Sequence, residues 1–170
     1  EKKNLILVSY KKSKKSKGLK IKTTKNFLLI QEEDEKKINR RDLVFTTISK
    51  PTPSEIDDMI FAFTICKYLN SNAIVVAKNR ATVGIGVGQT SRVEAAIQAM
   101  KRAKENIKSE KTVLASDGFF PFPDIIKICS KNNIASIIQP GGSKNDQMVI
   151  KAANKSNISM TFTGIRHFKH

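Results

Sequence analysis

Apolar and polar positions alternate with two different periods after residue 50. The segment Ile56–Leu69 is apolar on most faces, which predicts a buried helix. It follows Pro51-Thr52-Pro53-Ser54, where Ser54 is the predicted helix cap with Asp57 in capping-box register. Shorter apolar runs predict strands, and 3.6-residue periodicity predicts further helices. The predicted elements are a strand Ala73–Ala77, a strand Thr82–Ile85, a helix Arg92–Lys108 capped by Ser91, a strand Thr112–Ala115, a helix Asp124–Lys131, a strand Ile134–Ile138, a helix capped by Ser143 and running through Ala153, and a strand Ser159–Thr163.

Strands that alternate with helices in this way indicate an α/β layered sheet. The first 50 residues differ, because they contain short apolar runs between charged loops. Strands are predicted at Leu5–Tyr10 and Phe27–Gln31, with a β-prone stretch at Leu43–Ser49. We therefore expect two parts, a strand-rich segment at 1–50 and an α/β subdomain at 51–170.

Composition narrows the class of protein. The 170 residues are 39% hydrophobic and 27% charged, as in globular proteins. No apolar run approaches the roughly 20 residues that cross a bilayer, and no cleavable leader is recognisable, so a cytoplasmic, non-membrane protein is expected. Cys66 and Cys129 lie in apolar stretches and are expected to be buried, unpaired thiols.

A net charge of +16 favours anionic partners, and it is concentrated unevenly. Lys11–Lys25 contains eight lysines, no acidic residue and no aromatic residue. A nucleic-acid-binding arm is one interpretation. A solvated loop is favoured, because the stretch lacks the aromatic groups on which single strands stack.

Four segments could carry chemistry, and each lies at the end of a predicted strand. They are the glycine segment Thr82–Arg92, the phenylalanine loop Ser116–Asp124, the Gln139–Lys144 turn and the tail Thr163–His170. Glycines before a capped helix can make an anion site, although such glycines equally serve a tight turn. The three phenylalanines can stack on a heterocycle or pack on the core. The Gln139–Lys144 turn can bind an anion or be a plain turn, and the tail can be frayed or tucked into a site.

The ordered motifs GIGVGQTSR, SDGFFPFPD, IQPGGS and TGIRHFKH, preceded by Ser71-Asn72-Ala73-Ile74, resemble the transformylase domain of the bifunctional AICAR transformylase/IMP cyclohydrolase family. AICAR is aminoimidazole carboxamide ribotide. The resemblance implies an enzyme of purine biosynthesis that transfers a formyl group from the cosubstrate 10-formyltetrahydrofolate to AICAR. It further implies a cytidine-deaminase-like α/β/α fold and a homodimer. No metal is expected, because the His-x-Glu and Pro-Cys-x-x-Cys motifs of zinc deaminases are absent.

The resemblance also implies roles for single residues. Residues expected to bind AICAR are Asn72, Arg92, Phe119 and Arg166. Residues expected to face the folate are Val93, Asp124, Ser143 and Lys144, and His170 is expected near the site.

Two parts of the family are not matched by this chain. They are the adjacent lysine–histidine pair that serves catalysis and the IMP cyclohydrolase domain. The expectation is therefore a C-terminal part of the formyltransferase that has no catalytic residue of its own and is inactive alone. A basic nucleic-acid-binding α/β module and a remnant that only dimerises are the alternatives.

Overall fold

The computed structural model describes Ser9, residues 18–107 and residues 110–169. Two compact units divide the chain, Glu1–Glu35 and Lys36–His170. The strands are β1 (Leu19–Thr23), β2 (Leu28–Glu32), β3 (Val44–Phe45), β4 (Ile74–Lys78), β5 (Ala81–Gly86), β6 (Thr112–Ser116), β7 (Ile134–Gln139) and β8 (Ser159–Phe162). The helices are α1 (Pro53–Cys66), α2 (Arg92–Asn106), α3 (Asp124–Ser130) and α4 (Asp146–Lys155).

The first unit contains an antiparallel hairpin of β1 and β2, in which Ile21 lies opposite Ile30. β2 confirms the strand predicted at Phe27–Gln31. The prediction of a loop throughout Lys11–Lys25 is wrong for Leu19–Thr23, which is β1. The period-2 alternation of Leu19 and Ile21 with lysines is a strand pattern that the lysine count concealed. Residues 11–17 and the strand predicted at Leu5–Tyr10, apart from Ser9, lie outside the described residues.

The second unit is a six-stranded sheet in the order β3-β8-β7-β6-β4-β5. β6, β7 and β8 are parallel, whereas β4 runs antiparallel to both of its neighbours and β3 runs antiparallel to β8. The β-prone stretch Leu43–Ser49 yields only the two-residue β3. Ile38 and Leu43 belong to the core of this unit, so the boundary between the compact units falls between Glu35 and Lys36 and not near residue 50.

Helices cover both faces of this sheet. Ile74 and Val76 of β4 pack with α2, α3 and α4 on one face, whereas Val75 and Ala77 pack with α1 on the other. Successive strand residues point to opposite faces, so a strand buried on both sides is apolar at every position. The predicted α/β/α layered class is confirmed by these layers.

Two helix starts differ from the prediction. Thr52, not Ser54, caps α1: its hydroxyl accepts from the Glu55 backbone N, and the Glu55 carboxylate accepts from the Thr52 backbone N. Pro53 then takes the first helical position, where its missing N–H costs nothing. Ser143 does not cap α4, which has Asn145 at its N-cap position and no side-chain capping bond.

The cap predicted for α2 is confirmed, since the Ser91 hydroxyl accepts from the Glu94 backbone N. None of the helices in the described part of the chain is long and apolar enough to cross a membrane.

Candidate functional site

All four segments singled out from the sequence meet at one edge of the second unit's sheet. Parallel strands β6, β7 and β8 end there, at Ser116, Gln139 and Phe162. β4 begins at the same edge, with Ile74 opposite both Ser116 of β6 and Gly86 of β5. We call this end of the sheet the site edge. The loops after β5, β6, β7 and β8 lie there. Ligands of α/β sheets bind outside such strand ends.

The glycine segment serves packing between β5 and α2. A Cβ at Gly84 would lie 2.1 Å from the backbone oxygen of Ala99, and a Cβ at Gly86 would lie 1.9 Å from that of Ala95. No side chain fits between this strand and this helix. Close packing against α2 therefore explains these two glycines.

At Gly88, backbone conformation and not close packing explains the glycine. Its φ is +65°, a left-handed conformation, and a Cβ there would meet no atom within 4 Å. Beyond it, the carboxylate of Glu94 accepts hydrogen bonds from the hydroxyls of Thr90 and Ser91 at the start of α2. These bonds lower the pKa of Glu94. A negative charge of the protein itself thus already lies at this helix start.

Arg92, in the first turn of α2, is paired with a buried acid. Its Nη2 donates to Asp117 at 3.2 Å, and the exposed fractions of the two side chains are 15% and 0%. The Arg92 guanidinium also lies 5.8 Å from the centre of the Phe168 ring. The pair joins the glycine segment, the phenylalanine loop and the tail.

The phenylalanine loop uses its rings in three ways. Phe120 is fully buried, and its backbone N donates to the side chain of Gln139, which is itself fully buried. Phe122 is exposed. Phe119 is half-buried, and the Arg166 guanidinium lies 4.8 Å from its ring centre, a cation–π distance. Core packing thus explains Phe120, while Phe119 and its arginine face the site edge.

The Gln139–Lys144 turn is shaped by two glycines with φ values of +71° and +89°, Gly141 and Gly142. The Gly142 backbone N donates to the carboxylate of Asp146, and the Ser143 hydroxyl accepts from the Asn145 backbone N. A Cβ on Gly142 would lie 3.6 Å from Nη2 of Arg166, so the turn borders the same arginine as the phenylalanine loop.

The described part of the tail, residues 163–169, packs against the site edge and is not frayed. His167 is buried with its ring 4.7 Å from that of Phe63, and its backbone N donates to the Asp117 carbonyl. The Lys169 carbonyl accepts from the Ser71 backbone N at 2.9 Å. These contacts confirm a packed tail, and its part in a ligand site stays a prediction. His170 lies outside the described residues.

The predicted binding residues fall into two groups. Arg92, Phe119 and Arg166 lie at the site edge through their contacts with the loops and the tail. Asn72 is on the same edge, where its side-chain amide donates to the Gln89 carbonyl at 2.9 Å. Half-buried Val93 packs on the core beside Arg92. Of the folate-facing candidates, Asp124 begins α3, whereas Ser143 and Lys144 lie on the turn after β7. The Asn145 amide joins the two loops before α3 and α4 by donating to Pro121 O. The ligand roles of all these residues stay predictions.

Asp117 and Gln139 lie at the site edge, but the sequence analysis gave neither residue a role of its own. Asp117 comes directly after an apolar strand, and Gln139 ends one. A polar side chain at the end of a buried strand is itself buried only when it has hydrogen-bond partners. The polar residue type at these two positions was therefore the signal that could have identified them.

The two thiols are structural. Cys66 and Cys129 are free and buried, and burial raises the pKa of both. This confirms the prediction of unpaired core cysteines. Within the described ranges, no three His, Cys, Asp or Glu side chains gather closely enough to hold a metal ion.

A cavity of about 360 Å³ lies at the opposite edge of the sheet. It borders the end of α2 and the starts of β6 and β7, and it contains no predicted site residue. Its lining includes Met100, Lys104, Ile107 and Lys131.

The sequence is similar to those of known proteins over its full length. The model of the AICARFT/IMPCHase bienzyme family matches residues 1–102. A bifunctional purine biosynthesis protein PurH of Thermoanaerobacter sp. (strain X514) is 48% identical over 170 residues, and those of Persephonella marina and Fusobacterium nucleatum are 47% and 46% identical. All of this chain is covered in each case, but only 33% of the relative, so the chain spans about a third of their length.

Solved structures of similar shape include the dCMP deaminase of cyanophage S-TIM5 in apo form. It is 13% identical, with a TM-score of 0.45 over 65% of this chain and 98% of that one. Form 1 of Acinetobacter baumannii RibD is 12% identical, with a TM-score of 0.44 over 62% of this chain and 33% of that one. Likenesses of this strength have no bearing on the activity of the present chain.

Proposed function

The chain belongs to the AICARFT/IMPCHase bienzyme family, and from that premise we propose that it is the substrate-binding part of an AICAR formyltransferase of purine biosynthesis. In the proposed reaction, the amine nitrogen of AICAR forms a bond to the formyl carbon of 10-formyltetrahydrofolate. The bond from that carbon to the folate nitrogen breaks, and this nitrogen takes up the proton that the amine loses. The lysine–histidine pair that would move this proton, and the cyclohydrolase activity, are proposed to lie in the two thirds of the relatives' length that this chain does not span.

The observation that carries the proposal is the meeting of Arg166 and Phe119 at the site edge. AICAR presents a planar heterocycle and a phosphate, and a half-buried ring beside an arginine offers a partner to each. Arg166 is exposed, and within the described ranges it forms no ion pair with a carboxylate. Its full positive charge is therefore proposed to bind the phosphate.

Arg92 is suited to a different part of the nucleotide. Asp117 compensates its charge, so the pair supplies N–H donors with little net charge. Such donors suit a neutral acceptor, and we assign them to the carboxamide or ribose oxygens of AICAR. Asn72, at the same edge, is proposed to bind the carboxamide or ring.

Folate is proposed to lie beside the nucleotide, over the loops after β6 and β7. Asp124 and Lys144 are exposed there, and Ser143 is half-buried. A carboxylate can accept from the N–H groups of a pterin, and an ammonium can pair with the glutamate tail. A homodimer and chemistry without a metal ion belong to the same proposal.

Isothermal titration of the chain with AICAR tests the proposal. Wild type should bind saturably, whereas Arg92→Ala and Arg166→Ala should each weaken affinity about tenfold or more, because a hydrogen bond to a charged group contributes about 1.5–3 kcal/mol. The matched control is Arg102→Ala, which removes an equal charge from an exposed position on α2, away from its first turn. It should bind like wild type.

Two outcomes would contradict the proposal. Equal weakening by all three variants would mean that AICAR responds only to the net positive charge. No saturable binding by wild type at about 1 mM, a free energy of only about −4 kcal/mol, would mean that this chain has no AICAR site of its own.

A further inference from the structure

Asp117 is a fully buried carboxylate at the centre of the site edge, and the proposed function gives it no contact with a ligand. We propose that Asp117 is a positioning residue that holds Arg92 in the orientation needed for nucleotide binding. The ligand part of this inference rests on the proposed function. The orientation of Arg92 itself does not depend on it.

Each oxygen of the Asp117 carboxylate has its own donor. Arg92 Nη2 donates to Oδ1 at 3.2 Å, and the Ser71 hydroxyl donates to Oδ2 at 2.5 Å. A buried carboxylate is tolerated only when it is paired and hydrogen-bonded. The Ser71 bond leaves Oδ1 directed at the arginine, so the acid has a fixed orientation before any ligand arrives.

Two further groups restrict the position of the Arg92 guanidinium. A Cβ on residue 118 would lie 1.8 Å from Arg92 Nη2, so the guanidinium occupies the space that Gly118 leaves empty. The Phe168 ring lies on the guanidinium, 5.8 Å from its carbon. A long side chain with a carboxylate, a backbone and a ring around it has little rotamer freedom left to lose on binding.

One buried nitrogen of this arginine has no partner in the described part of the chain. Arg92 Nε is buried and has no hydrogen-bond partner among the described residues. A ligand acceptor drawn up to Nε would satisfy it while Asp117 holds the guanidinium by Nη2. The two groups thus have separate proposed roles: Asp117 fixes the arginine, and the arginine contacts the ligand.

The backbone of Asp117 has a structural role that must be kept apart from its carboxylate. Its N donates to Ala73 O, and its carbonyl accepts from His167 N. Asp117→Asn keeps both backbone bonds and the side-chain shape, so it removes the charge with little other change. Ser71→Ala is the second variant, since it removes one donor to the same carboxylate and remains informative if Asp117→Asn does not fold.

The first measurement needs no ligand. The Nε–H of Arg92 should give a protected arginine side-chain signal in a nitrogen–proton NMR spectrum, assigned by its loss in Arg92→Lys. Asp117→Asn should abolish the protection and Ser71→Ala should reduce it. The matched control Asp57→Asn removes a carboxylate that pairs with two exposed arginines elsewhere, so it should leave the signal unchanged. An unchanged Arg92 signal in both Asp117→Asn and Ser71→Ala would overturn the proposal.

The second measurement is a double-mutant cycle on AICAR affinity with Asp117→Asn and Arg92→Ala. Asp117→Asn should weaken binding about tenfold in the wild-type background and less than about twofold when Arg92 is already alanine. Equal losses in both backgrounds would show a general structural role and would overturn the positioning role. If wild type binds no AICAR, the proposed function fails for this chain, and the NMR measurement alone decides about Asp117.

Discussion

The packing of β5 on α2 makes a specific prediction for Gly86→Ala. The added Cβ would lie 1.9 Å from the Ala95 oxygen, whereas ordinary contact begins near 3.4 Å. The helix or the strand must therefore recede by about 1.5 Å. Both neighbouring groups are backbone, which cannot rotate away, and α2 contributes five buried residues to the core. Overpacking costs about 1–3 kcal/mol, and we expect the upper end of this range, about 3 kcal/mol of unfolding free energy.

Urea denaturation followed by far-UV circular dichroism measures this loss, because the chain contains no tryptophan for fluorescence. Gly88→Ala is the matched control: its Cβ would enter open space, and its φ of +65° should cost only about 1–2 kcal/mol. If Gly86→Ala were as stable as wild type, the packing explanation of the glycine segment would be refuted.

Two further predictions concern α1. Thr52→Ala should lower the unfolding free energy by about 1 kcal/mol and Ser54→Ala by less than about 0.5 kcal/mol, because only Thr52 caps the helix. The same urea assay measures both losses, and equal losses would contradict this assignment of the cap. Hydrogen bonds, first from Arg40 and then from Arg80, lower the folded-state pKa of Asp57 below its ordinary value of 3.8. The ionised carboxylate therefore stabilises the fold above pH 3.8, and this stabilisation is lost as the pH falls through the lowered pKa. Thermal melts of wild type and Asp57→Asn should therefore differ at about pH 7 and converge in acid, and a gap that persisted in acid would exclude this cause.

Local residue patterns were enough to predict the order and type of most elements in the second unit. β4 and the Ser91 cap of α2 were predictable because burial on two faces and helix capping are local patterns of residue type. The four segments at strand ends were visible for the same reason. The sequence also placed the two cysteines correctly in the core, since apolar surroundings predict burial.

The contacts that these segments make with one another could be known only from the folded chain. The glycines of β5 have their function because a helix backbone lies against them, and no local pattern reports that distance. The Asp117–Arg92 pair joins residues 25 positions apart in the sequence, and the tail reaches Ser71 from 98 positions away. Such contacts depend on the strand order of the sheet, which sets which loops become neighbours. Residue patterns along the chain specify elements, whereas the site edge exists only once those elements have paired.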